Sequence, residues 1–245
     1  MPVFRGTDND DLLIGGRFDD TLRGFDGDDT LNGNAGDDLL DGGDDDDLLR
    51  GNDGNDRLEA EDGNDTVFGG AGNDRIFGED GHDDLFGGSG ADTIIGEDGN
   101  DEIFGAAGAD RINGGEGNDD IFGGKGADRI TGGEGRDDIE GGGGNDTLFG
   151  GDGADSLTGG GGRDELTGGD GNDTFIFVGG RDVITDFDED DDRVDLSAAN
   201  GVNNFGDILD AATQSGNNLV LTFDEGVVVL RGIEESDLDA GDFIF

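Results

Sequence analysis

Nineteen aspartates stand nine residues apart in an unbroken series: Asp11, Asp20, Asp29, Asp38, Asp47, Asp56, Asp65, Asp74, Asp83, Asp92, Asp101, Asp110, Asp119, Asp128, Asp137, Asp146, Asp155, Asp164 and Asp173. Carboxylates held at one spacing can bind hard cations, because Ca²⁺ takes oxygen donors whereas zinc and copper favour nitrogen and sulfur. Two residues after each aspartate comes a large apolar side chain, from Leu13, Leu22 and Leu31 to Leu157, Leu166 and Phe175, and no member of this second series is polar. Each nine residues therefore carry one acidic group and one core side chain. Other chemistry has little to stand on. There is no cysteine and a single histidine, His82, so thiolate sites and HExxH are both excluded.

The elements that position these groups follow from the residues between them. Gly69-Gly70-Ala71-Gly72-Asn73 leads into Asp74. Such a stretch tolerates positive φ and close backbone approach, and it offers carbonyl oxygens beside the carboxylate. Arg75-Ile76-Phe77 then predicts a strand of about three residues with Ile76 inward and its neighbours outward. One strand per nine residues cannot enclose a core. Two strands on opposite sides make an 18-residue coil, and successive coils stack in parallel.

Written from Gly69 the repeat reads GGAGNDRIF, and from Gly123 it reads GGKGADRIT. The pattern GGxGxDxUx, U being a large apolar residue, resembles the RTX or hemolysin-type calcium-binding nonapeptide, and the resemblance covers roughly residues 6–184. It implies an all-β, right-handed parallel β-roll at 1–177, with a degenerate copy to about 184. It also implies that each Ca²⁺ lies between two loops stacked on one edge, so that Asp29 shares an ion with Asp47, and Asp38 with Asp56. Loop glycines would add carbonyl ligands, as at Gly69, Gly70 and Gly72, Gly87, Gly88 and Gly90, Gly123, Gly124 and Gly126, and Gly132, Gly133 and Gly135. Columns of ten and nine loops leave up to about 17 calcium sites.

Composition agrees with a need for cations. Acidic residues number 64 against 14 basic ones, a formal charge of -50 that makes a metal-free compact chain repel itself. Seventeen divalent ions would bring this to about -16. Nucleic acid and anionic membranes are excluded as partners by the lack of basic patches, and no apolar run could span a bilayer. Met1-Pro2-Val3-Phe4-Arg5 passes directly into Gly6-Thr7-Asp8, so no cleavable leader is read there. One large apolar side chain per nine residues is too little burial to offset the ordering entropy, so folding is expected to be coupled to calcium.

The loops before Asp11, Asp20 and Asp47 have Asn9, Phe18 and Asp45 where glycine is wanted, and the amino-terminal end is expected to bind more weakly. Ala60-Glu61 and Ala106-Ala107 also depart from the glycine pair. The period is expected to stop after Asp182, because Arg193 falls where an apolar residue is due. Residues 178–245 read as a small β-rich cap with strands at 182–187, 193–197, 218–223 and 227–232 and a short helix at 207–212. This region resembles the tail of serralysin-type secreted proteases. The resemblance implies an uncleaved type I secretion signal at Asp242-Phe243-Ile244-Phe245, hence export through that machinery and an extracellular location.

Three further features have plain alternatives. His82 occupies a loop slot filled elsewhere by asparagine or alanine and reads as a solvated position. The run Asp186-Phe187-Asp188-Glu189-Asp190-Asp191-Asp192 resembles an EF-hand loop but has Asp191 and Ser197 where glycine and glutamate belong, which leaves a solvated acidic turn or an irregular calcium site. Phe68, Phe86, Phe104 and Phe122, spaced by 18, predict a stacked ladder on one sheet, with dimerisation or docking of a cargo domain as the alternative. No nucleophile, histidine and acid set is present, so the chain reads as no enzyme. The functional reading is a calcium-folded structural and secretion module. A scaffold or adhesion module, or the calcium-binding carboxy-terminal part of a larger secreted enzyme, is the alternative.

Overall fold

The computed structural model describes residues 2–245. Strands alternate between two sheets, one of fourteen strands and one of twelve, and the chain crosses from one sheet to the other every nine residues. Within a sheet each strand pairs in parallel with the strand one coil later, in a register of 18: Thr66–Ala71 lies on Asp84–Ser89, which lies on Glu102–Ala107. The molecule is a parallel β-solenoid, as the period predicts.

Each strand turns two residues inward, the apolar follower and the glycine or alanine two places on. Val67, Ile76, Leu85, Ile94 and Ile103 are fully buried and continue as one column through Leu166 and Phe175. Leu13, in the first coil, is only partly covered. Glycine at the second inward place, such as Gly78 or Gly96, keeps the two sheets close where a second large side chain would not fit.

Two expectations are corrected. Most strands run six or seven residues rather than three, because the glycine pair stays in the ladder: Gly70 pairs with Gly88 and Gly88 with Ala106. The true connection shrinks to three residues, Gly72-Asn73-Asp74 in one coil. The period also does not stop after Asp182. It slips by one residue, with Thr174 opposite Arg193, Phe175 opposite Val194 and Ile176 opposite Asp195. Val194, not Arg193, takes the inward place and is fully buried.

The carboxy-terminal end is closed by strands that extend both sheets. Gly180–Ile184 is followed in its sheet by the parallel strand Gly226–Arg231, then by antiparallel Asn218–Thr222 and Ala212–Ser215. Arg193–Asp195 receives Phe243–Ile244 as its parallel neighbour. The helix Phe205–Ala211, capped by the Asn204 side chain, buries Ile208 against this end. The cap strands and helix lie close to their predicted places, whereas Ala212–Ser215 and Phe243–Ile244 are strands not expected from the sequence. Among the described residues no helix is long and apolar enough to cross a membrane.

Phe68, Phe86, Phe104 and Phe122 form the predicted ladder, with ring centroids 4.8, 5.1 and 4.9 Å apart and rings within 9° of parallel. Their rings are half-buried by one another. Arg50 covers the open face of Phe68, its guanidinium carbon 5.5 Å from the centroid.

Candidate metal centre

The stacking sets the aspartates in two columns, because residues 18 apart share an edge. Along both columns the backbone N–H of one aspartate donates to Oδ1 of the aspartate one coil later. Examples are Asp11 to Asp29 (2.6 Å), Asp65 to Asp83 (2.8 Å), Asp92 to Asp110 (2.8 Å) and Asp155 to Asp173 (2.9 Å). The pairs read from the sequence, Asp29 with Asp47 and Asp38 with Asp56, are joined in this way at 2.7 and 2.8 Å. The same bond recurs for every pair of the nineteen aspartates that lie 18 apart.

Oδ1 is thus satisfied and Oδ2 is not. From Asp29 to Asp173 each ladder aspartate is buried, and its Oδ2 has no hydrogen-bond partner. A buried unpaired carboxylate oxygen is costly, and repetition of the same orphan down two columns calls for a cation. Backbone carbonyls reach the same places. On the bare face of Gly69, where a Cβ would stand, Asp74 Oδ2 comes to 2.6 Å and the Gly87 carbonyl, one coil on, to 2.7 Å; on Gly123 the pair is Asp128 Oδ2 (2.8 Å) and Gly141 O (2.7 Å). Any side chain there would crowd both oxygens. Gly87 and Gly132 occupy the same position in their loops. Gly70 and Gly72, with φ of 112° and 133°, carry the backbone around the loop, as do Gly88 and Gly90, Gly124 and Gly126, and Gly133 and Gly135.

Among the described residues no three carboxylate or imidazole groups gather tightly enough to cage an ion by themselves. The oxygens that do meet are mixed, carboxylate and carbonyl from stacked loops. This all-oxygen set fits calcium.

Electrostatics points the same way. Burial pushes Asp65 up to about 8 and Asp47, Asp56 and Asp137 to about 7, against the lowering effect of the donated backbone N–H and with help from neighbouring carboxylates. Asp74, Asp83, Asp101, Asp110, Asp119 and Asp146 are pushed to about 6 by the same burial. Near neutral pH the metal-free carboxylates are thus strained toward protonation.

The ends depart from this pattern. Asp11 is only half-buried, and its Oδ2 accepts from the Thr7 backbone and hydroxyl at 2.7 and 2.9 Å. Asp20 Oδ2 accepts from Gly16 N–H at 2.6 Å, and its buried Oδ1 is the oxygen left without a partner. Asp47 is built like the regular loops: it is buried, its Oδ2 is unpaired, and Asp45 adopts a φ of 82° in place of glycine. At the other end Asp182 joins the column beneath Asp164, and burial followed by the Asp164 charge pushes it to about 8. Asp192 accepts the Asp173 N–H at 2.9 Å, a step of 19 rather than 18.

A second ladder was not read from the sequence. The side chain just before the aspartate accepts from the backbone N–H one coil later: Asn73 from Ala91 (2.7 Å), Asn100 from Asn118 (2.7 Å), Asn118 from Arg136 (2.9 Å). His82 belongs to it. Its ring is exposed as expected, yet Nδ1 accepts from Asn100 N–H at 2.8 Å. Asparagine recurring at steps of 18 was the available signal.

The chain matches the RTX calcium-binding nonapeptide repeat without a gap over residues 5–184. It belongs to that family. RTX repeats bind calcium, and the roll is accordingly a calcium-binding β-roll. No curated protein matches the sequence. Among solved structures it is similar to the R3 subunit of the AlgE6 mannuronan C5-epimerase of Azotobacter vinelandii, with 34% identity over 49% of this chain and 79% of that one (TM-score 0.42). The R2 subunit of that epimerase shares 34% identity over 49% of this chain and 88% of its own (TM-score 0.39). Extracellular lipase LipA of Serratia marcescens shares 20% identity over the whole RTX chain, which spans 40% of the lipase (TM-score 0.39).

Proposed function

We propose that this RTX chain is a calcium-operated structural module whose ladder aspartates act in pairs 18 residues apart. The reading rests on one observation: down both columns, each regular coil presents a buried carboxylate oxygen with no partner inside the protein. Asp29 through Asp173 supply these oxygens, with carbonyls of the loop glycines beside them, across about 17 gaps between stacked loops. Bound calcium supplies the positive charge that neutralises the columns and lets the coils stack. The chain's own residues do the rest. The apolar column fixes the register, and the Oδ1 bonds hold each carboxylate turned toward the preceding coil.

The biological consequence is a folding switch. Extracellular calcium modules work at Kd of about 10⁻⁴ to 10⁻³ M, so such a chain stays unfolded in cytosol and folds outside the cell. We place Asp242-Phe243-Ile244-Phe245 as the signal for a type I exporter. Pairing of Phe243–Ile244 into the last coil supports this order, since that segment is free for recognition only before folding. The half-buried Phe ladder serves the sheet itself.

A calcium titration of the chelator-treated chain, followed by far-UV circular dichroism with bound metal counted at the end point, tests the proposal. Disorder without metal and β structure with about 17 ions is the expected result. A chain already β-structured in chelator, or three or four ions in the folded state, would sink it.

A further inference from the structure

The two outer faces of the roll carry opposite charge. On the sheet that holds Arg57–Asp62, Arg75–Asp80, Thr93–Asp98, Arg111–Glu116 and Arg129–Gly135, the first outward place of each strand reads Arg57, Arg75, Thr93, Arg111 and Arg129. Four arginines thus share one row in a chain with only 14 basic residues. On the other sheet the same place, along Asp84–Ser89, Glu102–Ala107, Asp120–Lys125 and Asp138–Gly144, reads Asp84, Glu102, Asp120 and Asp138. All of these charged side chains are exposed. Arg57 and Arg129 lie over Phe77 and Phe149, at 4.2 and 4.5 Å from the ring centroids. Among the described residues Arg75 and Arg111 have neither an ion pair nor a ring beneath them.

The second outward place differs in shape between the faces. Beside the acidic row stands the ladder Phe68, Phe86, Phe104 and Phe122, whose stacked rings turn their edges outward as a ridge. Beside the arginine row, smaller side chains at Ile95, Asn113 and Thr131 leave a groove of about 160 Å³, walled by Thr93, Arg111 and Arg129. The remaining acids of that face, Glu79, Glu97, Glu116 and Glu134, lie at the strand ends. The matching strand ends of the ridge face are Gly88-Ser89, Ala106-Ala107 and Gly124-Lys125, without an acid.

We propose that these faces dock on each other between copies of the chain, the ridge of one roll seated in the groove of the next with its axis reversed. Strands of the two sheets run in opposite directions around each coil, so reversed axes bring first places onto first places and second onto second. Parallel axes set the acids on Ile95 and Asn113 instead. Both faces advance by one strand spacing per coil, 4.8 to 5.1 Å along the ladder, so a match made at one coil is kept at the next. The offset that puts Phe86, Phe104 and Phe122 opposite Thr131, Asn113 and Ile95 also puts Asp84 opposite Arg129, Glu102 opposite Arg111 and Asp138 opposite Arg75. Unlike faces meet, so each copy keeps one free face of either kind and the contact builds open stacks rather than a closed dimer. Five coils crossed by strands of about 20 Å bury about 500 Å² per partner, at the low end for protein contacts, which gives weak and reversible association with Kd on the order of 10⁻⁵ to 10⁻⁴ M. The ladder still supports its own sheet; docking uses the edges that the stacking leaves outward.

The test is sedimentation equilibrium of the full chain in saturating calcium, with far-UV circular dichroism checking that the roll is folded. The mass of the wild type should rise with concentration between about 10 μM and about 1 mM. Arg75→Glu with Arg111→Glu reverses one face, and Glu102→Arg with Asp138→Arg reverses the other. Either variant alone should associate at least about tenfold more weakly, and an equimolar mixture of the two should regain the wild-type behaviour, because each reversed face then meets its complement. Arg136→Glu with Arg163→Glu, which changes net charge equally but lies in the loops, should associate like the wild type. Should a double variant lose its far-UV signal, the single changes Arg111→Glu and Glu102→Arg carry the same comparison. A folded wild type that stays monomeric throughout, face variants that associate like the wild type, or a mixture that regains nothing each overturns the docking. A chain without β signal in calcium fails at the circular dichroism step, which sinks the calcium reading and this proposal together.

Discussion

The regular middle of the roll and its first loop are made of the same repeat, yet they treat the same carboxylate differently. At Asp65 through Asp164 one oxygen is held by the preceding coil and the other is buried without a partner. At Asp11 the Oδ2 atom is held locally by Thr7 and the group is half-exposed, whereas Asp20 has its Oδ2 held by Gly16 N–H but keeps a buried Oδ1 without a partner. The first coil is also open to solvent: Leu12 is 65% exposed and Phe18 79%. A carboxylate satisfied by its own loop has little need of an ion. On the proposed calcium reading, the need for an ion would therefore follow from stacking, since burial comes from neighbouring coils.

The largest test of that contrast exchanges one aspartate at a time. Asp110→Asn keeps an Oδ1-type acceptor for Asp92 N–H but removes a buried charge from the middle of a column. The calcium concentration at half-folding should rise by about tenfold or more. Asp11→Asn should move it less than about twofold, because Asp11 is half-exposed and already hydrogen-bonded by Thr7. Equal shifts for the two variants would refute the idea that stacking sets metal dependence.

A pH series sharpens the same contrast. Asp65, at about 8, and Asp47, Asp56 and Asp137, at about 7, lie far above an ordinary aspartate. A raised folded-state value means that the metal-free fold is favoured when these groups are protonated, fully below about pH 4 and progressively less as pH climbs through 7 and 8. Calcium needs the ionised form, so protons compete with it. The calcium midpoint should rise as pH falls from 8 to 6, and chelated chain should gain far-UV β signal near pH 5. A midpoint independent of pH would show that the buried columns do not titrate on binding.

The sequence carried the fold class, the two registers and the 18-residue pairing, because a period of nine repeated nineteen times leaves few other ways to stack. It did not carry the slip at Asp192. One inserted residue placed Arg193 where an apolar side chain was due, and only pairing of Phe175 with Val194 shows that the coil continues. Nor did it carry the departures from glycine. Ala60 proves to be a core residue, and Glu61 and Ala106 were marked as irregular without any sign of how the backbone would accept them.

That acceptance has a conformational cost, and it gives the third test. Glu61, Glu79, Glu97 and Ala106 stand at the second glycine of the motif with φ of 75°, 73°, 77° and 74°, a region that side chains with Cβ disfavour by about 1 kcal/mol or more. Ala106→Gly should relieve this strain. In the calcium-bound state it should stabilise the roll by up to about 1 kcal/mol net of the added chain entropy, read as a higher thermal midpoint. A lower midpoint would mean that chain entropy outweighs the strain at that place.

The smallest expected effect lies in the outer ladder, where exposure leaves each bond to compete with water. His82 Nδ1 accepts from Asn100 N–H one coil on, in a position that Asn64 and Asn100 fill in adjoining coils of the same column. His82→Asn should preserve the acceptor and leave the calcium midpoint unchanged, whereas His82→Ala should cost about 0.5–1 kcal/mol of stability, the net worth of one hydrogen bond. The difference between the two variants isolates the acceptor from the loss of the ring, since both remove the imidazole. If alanine and asparagine behave alike, the outer ladder contributes nothing measurable, and the stacking is held by the buried aspartate bonds, the apolar column and the strand pairing alone.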